Sequence, residues 1–87
     1  MERSMPQQVE KERIVRHLRP ELEKIQTIKG DEVNAVVEGF TVLDSPHHGH
    51  VQYRLAHVSP EIERRSDIAG AIERAIHAAG LRVAGEE

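Results

Sequence analysis

The sequence predicts a small α+β domain of two layers, and three observations carry that expectation. A stripe of apolar residues at helical spacing runs through Ile14, Leu18, Leu22 and Ile25. A second stripe runs through Ile68, Ile72, Ala75, Ile76 and Ala79. Between them, residues 50–58 alternate, with Val51, Tyr53, Leu55 and His57 on one side and His50, Gln52, Arg54 and Ala56 on the other. The expected order is helix, strand, strand, helix and short strand, with two helices covering one face of a small sheet.

The first helix is expected over residues 8–29, after a disordered leader at residues 1–7; residues 8–87 form the single domain. Pro20 interrupts the stripe, because proline removes one amide and crowds the preceding turn. Either the helix kinks there, or one helix ends near Arg19 and a second starts with Pro20 at its first position; a single broken helix is the expectation. Lys29-Gly30-Asp31 is a stop signal. Residues 33–43 are rich in β-formers and read as the first strand, with Gly39 marking a bulge or bend. Asp44-Ser45-Pro46-His47-His48-Gly49 reads as the turn of a hairpin, so the two strands are expected to pair antiparallel. Ser59-Pro60-Glu61 is a helix entry, either to a short turn or to the main second helix. Ser66 or Asp67 is suited to cap that main helix. Gly80 followed by Leu81 fits a Schellman ending, and Leu81–Ala84 is long enough for one short strand.

Composition bounds the functions available. The chain has 87 residues, one Phe, one Tyr and no Trp, so its core must be aliphatic and thin. Oligomerisation is a common remedy for such a core. With no cysteine there is no disulfide, no thiolate metal ligand and no Cys nucleophile. A net charge of −3 argues against a domain whose main task is coating nucleic acid. No apolar run is long enough for a membrane span, and no secretory h-region opens the chain, so a cytoplasmic location is expected.

The motifs that carry chemistry are few. Pro46-His47-His48-Gly49-His50 places three of the six histidines within four positions. Imidazole suits Zn, Cu and Ni, and His47, His48 and His50 with Asp44 could make one nitrogen and oxygen ligand set. The plain alternative is a solvated turn, since Pro46 and Gly49 are turn formers. His57 is expected on the apolar side of its strand, His77 beside the stripe of the second helix, and His17 on the polar side of the first. Arg64 and Arg65 before Ser66-Asp67 could receive an anion, or form a solvated charged loop. No nucleophile elbow, phosphate loop, dinucleotide fingerprint or Gly-x-x-Gly clamp is present.

Three strings resemble the C-terminal domain of NifU-type iron–sulfur scaffold proteins: Ile14–Leu22 with its Arg19-Pro20, His50–Leu55, and Ala71–Ile76. The resemblance implies that family's fold and a place near cluster-assembly partners. It does not imply cluster binding, because the family's Cys-x-x-Cys pair falls where this chain has Ser59-Pro60-Glu61-Ile62. His47, His48, His57 and Asp67 are also similar to the pattern of pterin carbinolamine dehydratases. Strand rise separates His50 from His57 by about 23 Å, which argues against one shared site. The leading expectation is therefore a non-catalytic interaction module that binds a protein partner or forms a homo-oligomer. The alternative is a divalent-metal domain built on the histidine loop.

Overall fold

The computed structural model describes residues 6–43 and 49–84 of the chain. The fold is α+β. Its order is α1 (Pro6–Glu23), α2 (Gly30–Gly39), β1 (Phe40–Val42), β2 (His50–Val51), β3 (Tyr53–Leu55), α3 (Pro60–Glu63), α4 (Ser66–Ala78) and β4 (Arg82–Val83).

Helix α1 is one helix that runs through Pro20 and stops at Glu23, not at residue 29. It tolerates the proline because Pro20 lies on the exposed side, one turn from the end. The carbonyl that Pro20 cannot bond belongs to Arg16, also exposed, where water can reach it. Pro6 and Gln7, read as leader from the sequence, already belong to α1; residues 1–5 of that expected leader lie outside the described residues. Ile14, Leu18 and Leu22 are fully buried, as their spacing requires, whereas Ile25 packs on the core from the turn beyond the helix.

The segment read as the first strand is largely helix. Residues 30–39 form α2, and only Phe40–Val42 are extended. Valine content pointed to a strand, but Val33, Val36, Val37 and Phe40 stand at i, i+3, i+4 and i+7. All four face the core, three of them buried and Val37 partly so. Asp31 and Glu32 favour the first turn electrostatically. The Glu32 carboxylate also accepts the Lys29 backbone N–H at 2.9 Å, as in one half of a capping box. Gly39 ends the helix where the chain must pass closest to its neighbour: the Ala56 carbonyl occupies the space a Cβ would need.

The four short strands form two ladders. β1 pairs antiparallel with β3, Phe40 opposite Leu55 and Val42 opposite Tyr53. β2 pairs parallel with β4, His50 opposite Arg82 and Val51 opposite Val83. Only Gln52 separates β2 from β3, so the ladders follow one another along a single extended segment. Its Gly49 and Val51 carbonyls accept from Arg82 and Ala84 on one edge, and its Gln52 carbonyl accepts from Leu43 on the other.

Helices α1 and α4 pack on the inner face and on each other, and the small Ala71 and Ala75 let them approach closely. They run antiparallel. Arg13 Nη2 donates to the Ala79 carbonyl at 2.7 Å near one end, and Arg74 pairs with Glu21 at 2.9 Å further along. Neither Ser66 nor Asp67 caps α4: Arg65 holds that position with extended backbone and no side-chain cap bond. The other end is a Schellman motif, with Gly80 at φ 82°, Leu81 N–H donating to Ile76 and Gly80 N–H to His77. The short α3 starts at Ser59, whose Oγ accepts the Ile62 N–H at 3.3 Å, with Pro60 at the first helical position.

Candidate functional site

Alternation along the strands sorts their side chains onto two faces. The inner face carries Phe40, Val42, Val51, Tyr53, Leu55 and Val83, all buried or half-buried. The outer face carries Thr41, Leu43, His50, Gln52, Arg54 and Arg82. Leu43, Gln52, Arg54 and Arg82 are exposed there, while Thr41 and His50 are half-buried. Among the described residues, Leu43 is the single large apolar side chain that is exposed, at 37%.

Among the described residues, the charge on this outer face is of one sign. Residues 40–43, 49–56 and 81–84 contain Arg54, Arg82 and His50, and no acidic residue. Among the described residues, neither Arg54 nor Arg82 takes part in an ion pair. The acidic residues among those described lie on the helices instead, with Asp31, Glu38, Glu61 and Glu63 exposed on α2 and α3. Arg82 lies across the ladder from His50, and Arg54 is four residues further along. The two guanidinium-bearing positions are thus about 14 Å apart, taking a rise of about 3.3 Å per residue and a strand spacing of about 4.8 Å.

Of the four residues proposed as a metal set, Asp44, His47 and His48 lie outside the described residues. His50 is the first residue of β2, in the parallel ladder with Arg82, so it does not belong to the β1–β3 hairpin. The hairpin ladder ends where Leu43 N–H meets the Gln52 carbonyl. Among the described residues, no three His, Asp or Glu side chains converge as a metal site would require.

His57 departs from its expected place on the apolar side of the strand. The strand ends at Leu55, and His57 is exposed with φ 60°, beside a hollow lined by Ala35, Glu38, Gly39 and Ala56. His17 is half-buried on α1, and His77 is exposed on α4.

Arg65 does not await an anion. Its guanidinium pairs with Asp67 at 2.8 Å and Glu32 at 3.5 Å, and donates to Thr27 Oγ1 at 3.1 Å. It thereby ties the start of α4 to α2 and to the turn before it. The same contact holds the Asp67 carboxyl below its usual range, helped by the Ile68 N–H. Arg64 ends α3 and is exposed.

A shallow groove lies between β3 and α3–α4, lined by Tyr53, Arg54, Leu55, Ile68, Ala69 and Ile72 together with Glu63 and Arg65, so Arg54 borders it from the strand. The Tyr53 hydroxyl is pushed above its ordinary pKa by burial and by the nearby Glu73 charge. It therefore stays protonated at neutral pH and supplies no base.

Arg54 and Arg82 were not singled out by sequence. The alternation of residues 50–58 does put Arg54 on one side with His50 and Gln52. Arg82 joins that face only because β4 pairs parallel with β2, a long-range register that no local pattern specifies. Comparison with protein-family models, with curated proteins and with solved structures finds no match to this chain.

Proposed function

We propose that this chain is a small, non-catalytic interaction module that uses its sheet to bind a protein partner or a second copy of itself. The observation that carries this reading is the open outer face. Exposed Leu43, Gln52, Arg54 and Arg82 stand there in register on two adjoining ladders. The edge of β1 away from β3 borders that face with no strand paired to it among the described residues, and such an edge can accept a further strand.

The module is further proposed to be a cysteine-less relative of NifU-type scaffold domains. What supports this is the long helix α1, the paired strands β1 and β3 and the long helix α4 in that order, with α2 standing between α1 and the strands. The stretch where that family carries its thiolates, Ser59–Ile62, is here a capped helical turn without a sulfur ligand. The proposed role is accordingly one of contact and not of cluster holding.

Size-exclusion chromatography with light scattering, run from micromolar to millimolar chain, tests the reading together with amide NMR against short strand-forming peptides. The expected result is a rise in mass toward a dimer, or peptide-induced shifts at Thr41, Gln52 and Arg54. A chain that stays monomeric and shows no shift at these amides with any peptide overturns it.

A further inference from the structure

We infer that the outer sheet face is a docking surface for an acidic, extended protein segment whose carboxylates are spaced to meet Arg54 and Arg82. This rests on the interaction reading above and names the chemistry of the partner.

Three observations lead to it. The first is charge. In a chain with 15 acidic and 12 basic residues, one exposed face carries two arginines and a histidine with no carboxylate among its described residues. Every arginine that reaches a carboxylate within the described structure, Arg65 and Arg74, lies on the helical side. Among the described residues Arg54 and Arg82 make no ion pair, and their planar donor forks suit carboxylates.

The second is spacing. The two arginines are about 14 Å apart, close to the rise of about 13 Å between residues i and i+4 of an extended chain. Those two residues, with i+2 between them, point to the same side of a strand. A segment with acidic residues four apart therefore meets both arginines at once. Its middle side chain lies toward His50 and Gln52, and Leu43 supplies an apolar contact at the margin.

The third is what the face disfavours. A second copy stacked face to face would set arginine against arginine, a like-charge contact that costs energy. A second copy offering its acidic α2 and α3 surface would make a head-to-tail contact that need not close. A single-stranded nucleic acid would find no aromatic platform, since Phe40 and Tyr53 stack on each other on the inner side with centroids 5.6 Å apart. It would also approach a molecule of net charge −3.

The test uses the full 87-residue chain, isotopically labelled, and three probes. One is an extended ten-residue peptide with two glutamates four apart. The second is the same peptide with glutamines in their place. The third is a ten-nucleotide oligothymidine. The glutamate peptide is expected to shift the amides of Thr41, Gln52, Arg54 and Arg82. Arg54→Gln and Arg82→Gln should each weaken it roughly two- to fivefold, the range of an exposed ion pair, and added salt should weaken it further. Both arginines are exposed, so the variants should retain wild-type spectra elsewhere, which the same spectra verify.

Equal binding of the glutamine peptide overturns the acidic-segment inference and leaves the interaction reading standing. Tighter binding of the oligothymidine at the same amides overturns it in favour of nucleic acid. Shifts confined to the inner groove at Tyr53 and Ile72 overturn the placement. No shift with either peptide from a strictly monomeric chain overturns the inference and the interaction reading together.

Discussion

The helical layer and the strand layer are held together by different means. α1 and α4 meet along Ile14, Leu18 and Leu22 on one side and Ile68, Ala71, Ile72 and Ala75 on the other. Their ends are fastened by Arg13 on the Ala79 carbonyl, Arg74 on Glu21 and the Schellman turn at Gly80. The strands are two or three residues long and contribute few backbone bonds. Their inner side chains depend on the helices for burial, and among the described residues Arg54 and Arg82 make no ion pair. The contrast is one of charge: Arg13, Arg65 and Arg74 are engaged between helices or their ends, and Arg54 and Arg82 on the outer sheet face make no ion pair among the described residues.

The largest expected effects test how far the sheet depends on the shared core. Phe40→Ala removes the largest fully buried side chain and should cost about 3–5 kcal/mol of unfolding free energy, read from urea denaturation. Leu18→Ala, in the helical layer, should cost about 2–5 kcal/mol. If Phe40→Ala unfolded only the strands, leaving helical circular dichroism to melt separately, the two layers would not form one cooperative unit.

Gly39→Ala comes next. Its added Cβ meets the Ala56 carbonyl at the junction of α2 and β1, so backbone must move. A loss of about 1–3 kcal/mol is expected, the usual range for overpacking. Gly30→Ala, at a position with open space around it, is the matched control and should be nearly neutral in the same urea assay. Ser59→Ala removes the cap of α3 and should cost about 0.5–1 kcal/mol, at the lower end of cap losses because the helix is a single turn.

A pH series separates the two layers electrostatically. The Glu21 carboxyl is held below its ordinary value, chiefly by hydrogen bonding to Arg74 and then to Lys24. Asp67 is held low by Arg65. A carboxyl depressed in the folded state contributes stability that is present above its unfolded pKa and lost as pH falls through its folded one. Thermal midpoints should therefore drop on acidification through the carboxylate range. Arg74→Gln should flatten part of that drop, and Arg54→Gln should leave its shape unchanged. An equal flattening by Arg54→Gln would show that the outer face is not free of carboxylates.

Much of the helical layer was legible from the chain. Ile14, Leu18 and Leu22 repeat at the period of a helix and are fully buried, and Gly80-Leu81 announced the end of α4. The antiparallel pairing of the segments around Phe40 and Tyr53 was also legible, and Gly39 marked the tight passage. Two things were not. The valines of α2 suggested a strand by type, although their spacing is helical; packing against α1 decides the matter, and propensity does not. The cap of α4 was assigned to Ser66 or Asp67 by residue type, whereas Asp67 is engaged with Arg65 and Ile68 just inside the helix. Of the candidate site, the sequence pointed to the histidine loop, while the face with Arg54 and Arg82 arises from a pairing between residues more than thirty positions apart.

That parallel pairing has a consequence for the molecule in motion. β4 is joined to β2 by a ladder only two residues long, in which the Arg82 and Ala84 amides donate to the Gly49 and Val51 carbonyls. These two protons should exchange with deuterated solvent well before those at the centre of α4, because so small a unit opens without disturbing the helices. Each opening leaves the Gly49 and Val51 carbonyls bare on a strand edge, and an incoming chain could pair there in place of β4. The same event moves Arg82 away from Arg54 and splits the cationic pair.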